Sequence, residues 1–221
     1  METTATPIGL ESLAALAALA LAASITPGPN NALLSASGAR FGLRATLPHA
    51  RGVALGFPLM VFCVALGLGQ AFQQSETLRE ALRWGGAALM AWLAWKIASA
   101  SPTSAPAGAE PGEARSGDGA RPWSFVQAAA FQWVNPKAWV MALGIAAPFV
   151  DGASPVRHAL IAAAVFALAG LLSTHAWAAF GAVMGRFLGQ GWRLRLFNLA
   201  MAALILMGVA ALLAEDFSRA P

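Results

Sequence analysis

Six apolar stretches, separated by short arginine-bearing gaps, leave this 221-residue chain few ways to fold. A helix needs about 20 apolar residues to cross a bilayer. Runs at 8–39, 52–72, 82–98, 123–150, 158–184 and 196–214 take up nearly the whole sequence, so no separate soluble domain fits. Charged residues make up 11% of the chain, against roughly a quarter in a soluble domain. The expected fold is therefore an all-α integral membrane protein with six transmembrane helices. The net charge of +4 lies mostly in the gaps between spans, where topology explains it, so the bilayer is an expected partner and nucleic acid is not.

The first run is too long for one straight crossing at 1.5 Å per residue. It is also interrupted by Thr26-Pro27-Gly28-Pro29-Asn30-Asn31. Proline removes a backbone donor and stops a helix on its N-terminal side. Broken backbone at membrane depth survives only where it is packed in protein or lines a wet cavity. The fourth run carries a second break, Asn135-Pro136-Lys137. Upstream of the first break, Glu2 and Glu11 are the only charges, so the positive region of a signal peptide is missing and a retained span is expected.

Residues 99–122 are rich in Ala, Gly, Pro and Ser. They carry too little apolar surface to offset ordering, which predicts a flexible linker. The expected organisation is a three-helix repeat at 1–98, the linker at 99–122 and a second three-helix repeat at 123–221. With an odd number of spans per half, the halves insert in opposite senses, and the first helix of each is broken by proline. That is the inverted-repeat plan in which broken helices hold substrate near the midplane. Lysine and arginine number nine in alternate gaps (Arg40, Arg44, Arg51, Lys96, Arg115, Arg121, Arg186, Arg193, Arg195) and four on the other side (Arg79, Arg83, Arg157, Arg219). The imbalance puts the linker in the cytoplasm and both termini outside.

Pro29 and Pro136 each suit the first position of a new helix, with Gly28 and Asn135 at the cap. The free amides of Asn30, Asn31 and Ala32, and those of Lys137, Ala138 and Trp139, would then favour an anion such as a carboxylate. Carbonyls ending the preceding half-helices, around Ser24-Ile25 and Gln132-Trp133, offer acceptors for an ammonium group. A zwitterion satisfies both. Two proline kinks relieved by neighbouring helices are the alternative. Lys137 is the lysine placed well inside a span, where a charge points to function unless the side chain snorkels. Histidine is the side chain suited to carrying a proton near neutral pH, so His175 is the candidate for proton coupling, with a structural histidine as the alternative.

Other chemistry has little to stand on. The single cysteine, Cys63, excludes an internal disulfide. No HExxH, phosphate loop or Ser–His–Asp set is present at membrane depth. Neither a metal, a cofactor nor enzymatic activity is expected.

Several of these motifs occur together in one known group. Thr26 to Asn31, then Ser37-Gly38, Phe41-Gly42-Leu43-Arg44, Gly52 and Gly56, resemble the start of the lysine exporter (LysE/RhtB) superfamily. Trp84-Gly85-Gly86-Ala87 with Trp92-Leu93-Ala94-Trp95-Lys96, Asn135-Pro136-Lys137 and Leu196-Phe197-Asn198 resemble its third, fourth and last spans. Asn30-Asn31 and the run at 92–98 are most similar to the cysteine and O-acetylserine exporter branch. The resemblance implies a bacterial inner-membrane exporter of amino acids or their derivatives, driven by the proton motive force. The absence of an intramembrane carboxylate favours a neutral substrate. A passive facilitator and a non-transporting structural subunit are the other readings, and the sequence is compatible with a homodimer.

Overall fold

The structure is a computed structural model that describes residues 9–100, 120–149 and 154–214. Helix α1 (Leu10–Ile25) is followed by α2 (Pro29–Cys63), which runs through a π-helical stretch (Val64–Leu68) into α3 (Gly69–Gln74). Then come α4 (Glu76–Ala98) and α5 (Phe125–Phe131). A 3-10 turn (Gln132–Val134) joins α5 to α6 (Pro136–Phe149), and α7 (Pro155–Leu188) and α8 (Trp192–Ala214) complete the bundle. Three stretches, Pro29–Gln74, Pro155–Leu188 and Trp192–Ala211, are each long and apolar enough to cross a membrane. The protein is a multi-pass helical membrane protein, and no strand occurs among the described residues.

The longest of these stretches is not a single rod. Gly42 stands inside α2 at φ 80° and ψ 168°, a conformation open essentially only to glycine. The contacts of α2 with α7 show what that does. Ser35 and Ala39 lie against Gly181 and Gly185 in rising order, whereas Ala54 and Phe57 lie against Gly170 and Phe166 in falling order. The chain therefore reverses at Gly42 and runs along α7 twice. Thr46 Oγ1 donates to the Gly42 carbonyl at 2.9 Å, and the Ser37 hydroxyl stands 3.0 Å from Thr46 Oγ1, tying the two arms at the corner.

Two expected gaps are thus shorter than their charges suggest. The segment 40–51 is helical apart from Gly42, because one glycine suffices to turn the chain and arginine is a good helix former. The turn expected at 73–81 shrinks to Ser75. Its hydroxyl accepts from the Leu78 amide at 3.3 Å, and Glu76 follows in the first turn of α4, where a negative charge suits the helix dipole. The start of α5 is fixed by a capping box between Ser124 and Gln127. Of the expected linker, residues 101–119 lie outside the described residues.

In lipid, helices associate through close packing rather than through the hydrophobic effect. A Cβ on Gly181 would collide with the Ser35 carbonyl, and one on Gly185 with the Ala39 carbonyl. Gly52 and Gly56 make the same allowance for α5, meeting Phe125 and Ala129. Two apolar clusters result. One joins α1, the second arm of α2, α3, α6 and α7 through Leu16, Met60, Phe72, Trp139 and Phe166. The other joins the first arm of α2 to α4, α5 and α8 through Leu33, Met90, Phe131 and Ile205. Both proline breaks fall between the two.

Candidate functional site

The break after α1 is built by its own side chains. Thr26 Oγ1 donates to the Ala22 carbonyl at 2.6 Å and so closes the last turn of α1. Gly28 caps α2 with Pro29 at the first helical position, and the Ala32 amide donates to the Gly28 carbonyl. Gly28 has an extended backbone that any residue adopts, so what glycine supplies here is room. A Cβ at this position would lie 2.8 Å from Lys137 Nζ. Asn31, only 7% exposed, reaches back across the gap, and its Nδ2 donates to the carbonyls of Ser24 and Thr26, each at 2.9 Å.

The second break is held in the same manner. Asn135 Oδ1 accepts from the Lys137 amide at 3.2 Å, capping α6 over Pro136. Trp139 Nε1 donates to the Trp133 carbonyl across the turn. The two breaks touch. Asn30 Nδ2 donates to Gln132 Oε1 at 2.8 Å, Gln132 Nε2 returns a bond to Asn30 Oδ1 at 3.4 Å, and Lys137 Nζ stands 3.5 Å from the Thr26 carbonyl.

A cavity of about 60 Å³ lies at this junction. Gly28, Pro29, Asn30, Asn31, Asn135 and Lys137 line it from the breaks, and Val53, Phe57, Met141 and Phe166 give it an apolar floor. Ser173 and Thr174 of α7 complete the wall. A second, larger space of about 500 Å³ opens on the other side of the same residues, toward Met90, Leu204 and Met207. Gly28, Pro29, Asn135 and Lys137 border both. Among the described residues, no aspartate or glutamate lines either one. With the N-terminus of α2 and the Lys137 ammonium on one side, the junction is complementary to a carboxylate.

The model for the LysE type translocator matches residues 21–216, which is most of the chain and includes both breaks. The chain belongs to the LysE-type translocator family. It is 30% identical over 188 residues to the cysteine/O-acetylserine efflux protein of Escherichia coli O139:H28, covering 84% of this chain and 89% of the relative. The proteins of the same name in Escherichia coli K12 and Shigella flexneri serotype 5b match at 30% identity over 187 residues, with the same coverage. The likeness to that branch is thus borne out. No solved structure matches this translocator.

Not every candidate residue of the translocator reaches the cavity. Thr26 and Pro27 are exposed; Thr26 serves the end of α1, and Pro27 borders only the larger space. Pro136 is buried and also borders the larger space. His175 borders neither, and its Nδ1–H donates to the Leu171 carbonyl of its own helix at 2.7 Å. The Lys137 amide is occupied by its cap, and the carbonyls expected to receive an ammonium group already accept bonds. Ser24 takes them from Asn31 and Ser173, and Trp133 takes one from Trp139. Sequence reasoning missed Thr174, whose Oγ1 is buried in the cavity wall with no hydrogen-bond partner. It also missed Gln132 as the partner of Asn30. Neither has a local signal, because each role exists only once α7 and the 3-10 turn are brought to the first break.

Proposed function

We propose that this translocator is a bacterial inner-membrane secondary transporter that exports a small amino acid or amino-acid derivative. A neutral side chain is favoured, with cysteine and O-acetylserine the first candidates by likeness to the named relatives. One observation carries the reading: two proline-started helices, α2 and α6, begin at one interior cavity and share Lys137. The carboxylate of the cargo would lie against Lys137 and the amides opening α2. Its ammonium would turn to Thr174 Oγ1, which lacks a partner and can accept. The apolar floor suits a short side chain and gives a second charge nothing to pair with.

The same reading arranges six crossings as two inverted halves. Its support is directional. The first arm of α2 runs with α7 and the second arm against it, while Gly52 and Gly56 meet Phe125 and Ala129 in parallel order. The two broken crossings then run in opposite senses, as rocking of inverted halves about a midplane site requires. The linker would be cytoplasmic and both termini outside.

Proton antiport is the proposed driving mechanism. A facilitator is the second reading, favoured by the position of His175 outside the cavity lining. Efflux of labelled amino acids from cells overproducing the protein, with and without a protonophore, decides between them. Protonophore-sensitive efflux of a neutral amino acid is the expected result. Gradient-independent efflux would favour the facilitator, and no efflux of any compound would overturn transport.

A further inference from the structure

Away from the proline breaks, a histidine is buried in the bundle without any visible use. His49 is 2% exposed, and neither of its ring nitrogens has a hydrogen-bond partner. A neutral imidazole holds one donor and one acceptor, and each buried polar group left unmade costs about 1–3 kcal/mol. The ring is fixed rather than loose, with its centroid 5.2 Å from that of Trp123. It opens on a cavity of about 160 Å³. Lys96 and Arg121 line that cavity with Arg40, and among the described residues no acidic side chain does. Lys96 Nζ sits 4.7 Å above the Trp92 ring, which orients the ammonium without neutralising it.

The cavity has a definite relation to the site. Leu33, Ala36 and Ser37 form part of its wall, and they lie one to two turns along the helix that begins at Pro29. It thus stands on the arginine-rich side of the breaks, at the far end of the half-helix whose N-terminus faces the central cavity.

We propose that His49, Lys96 and Arg121 form a second binding site, a loading vestibule that takes the carboxylate of a small amino acid before it reaches the cavity at the breaks. This rests on the transport reading for the identity of the cargo, though not for the presence of an anion site. The carboxylate oxygens accept from the His49 N–H and from the two cations, which gives the orphaned ring a partner for its donor. Trp92 and Trp123 give the remainder of the molecule a flat apolar wall. Two cations beside a low-dielectric wall also raise the local concentration of anions.

The test uses the full-length protein in phosphatidylcholine nanodiscs and equilibrium binding of labelled O-acetylserine. A Lys137→Met background removes the cation of the central site. Binding should persist there, compete with acetate and resist competition by O-acetylserine methyl ester, which has no free carboxylate. His49→Phe preserves the stack on Trp123 and should weaken binding by about tenfold or more. Lys96→Gln provides the same test should His49→Phe fail to fold. Unchanged binding in the folded variants overturns the vestibule. Binding abolished by phosphatidylglycerol in the disc, together with indifference to acetate, assigns the pocket to a lipid headgroup and also overturns it. Failure of the transport reading has a different signature: no flux in proteoliposomes from any variant, with acetate-sensitive binding intact.

Discussion

At the scale of single residues, the site is made by side chains that repair broken backbone. Asn31→Ala removes the donor that serves the Ser24 and Thr26 carbonyls. The expected cost is about 1–3 kcal/mol, read as a lower apparent Tm in detergent. Gly28→Ala acts differently. Its Cβ meets the flexible end of Lys137, so the protein should fold, while export falls by about tenfold or more as the ammonium is displaced. His175→Gln tests the candidate for proton coupling. If His175 carries the proton, this variant loses the response of efflux to external pH while substrate binding changes less; a normal response removes the histidine from that role. The caps at Gly28 and Asn135 were legible because proline and its neighbours act locally. The uses of Gln132 and Thr174 were not, since Gln132 meets Asn30 across the bundle and Thr174 reaches the cavity only once α7 packs there. That of Asn31 was not, because its acceptors are freed only where α1 ends.

At the scale of elements, one glycine decides the path of α2. Gly42→Ala forces a side chain into backbone that only glycine adopts freely, at a cost of about 1–3 kcal/mol. Loss of folded protein on size-exclusion chromatography, or a depressed Tm, is the expected readout. Gly185→Leu should do at least as much harm, because the Ala39 carbonyl it meets belongs to a rigid helix. Apolar run lengths and the two proline breaks revealed the helices. The corner at Gly42 was hidden because Arg40, Arg44 and His49 read as a loop, although nothing in them prevents a helix.

At the scale of the molecule, the arrangement of helices keeps both breaks between two separate apolar clusters. Deleting residues 102–119 should leave export intact if that segment only connects the halves, and lost insertion would show that it does more. A reporter fused after Pro221 should be active outside the cytoplasm, and activity inside would invert the proposed orientation. The pairing of Asn30 with Gln132 has a kinetic consequence. Each amide completes the other only while the breaks stay in register. Any motion that parts them first strips partners from buried polar atoms, at about 1–3 kcal/mol apiece. The pair is therefore a detent that resists idle cycling. A polar cargo, arriving with hydrogen bonds of its own to offer, lowers that barrier as it enters. Under the proposed gradient-driven export, an empty carrier held by such a catch would turn over slowly, which would limit slippage.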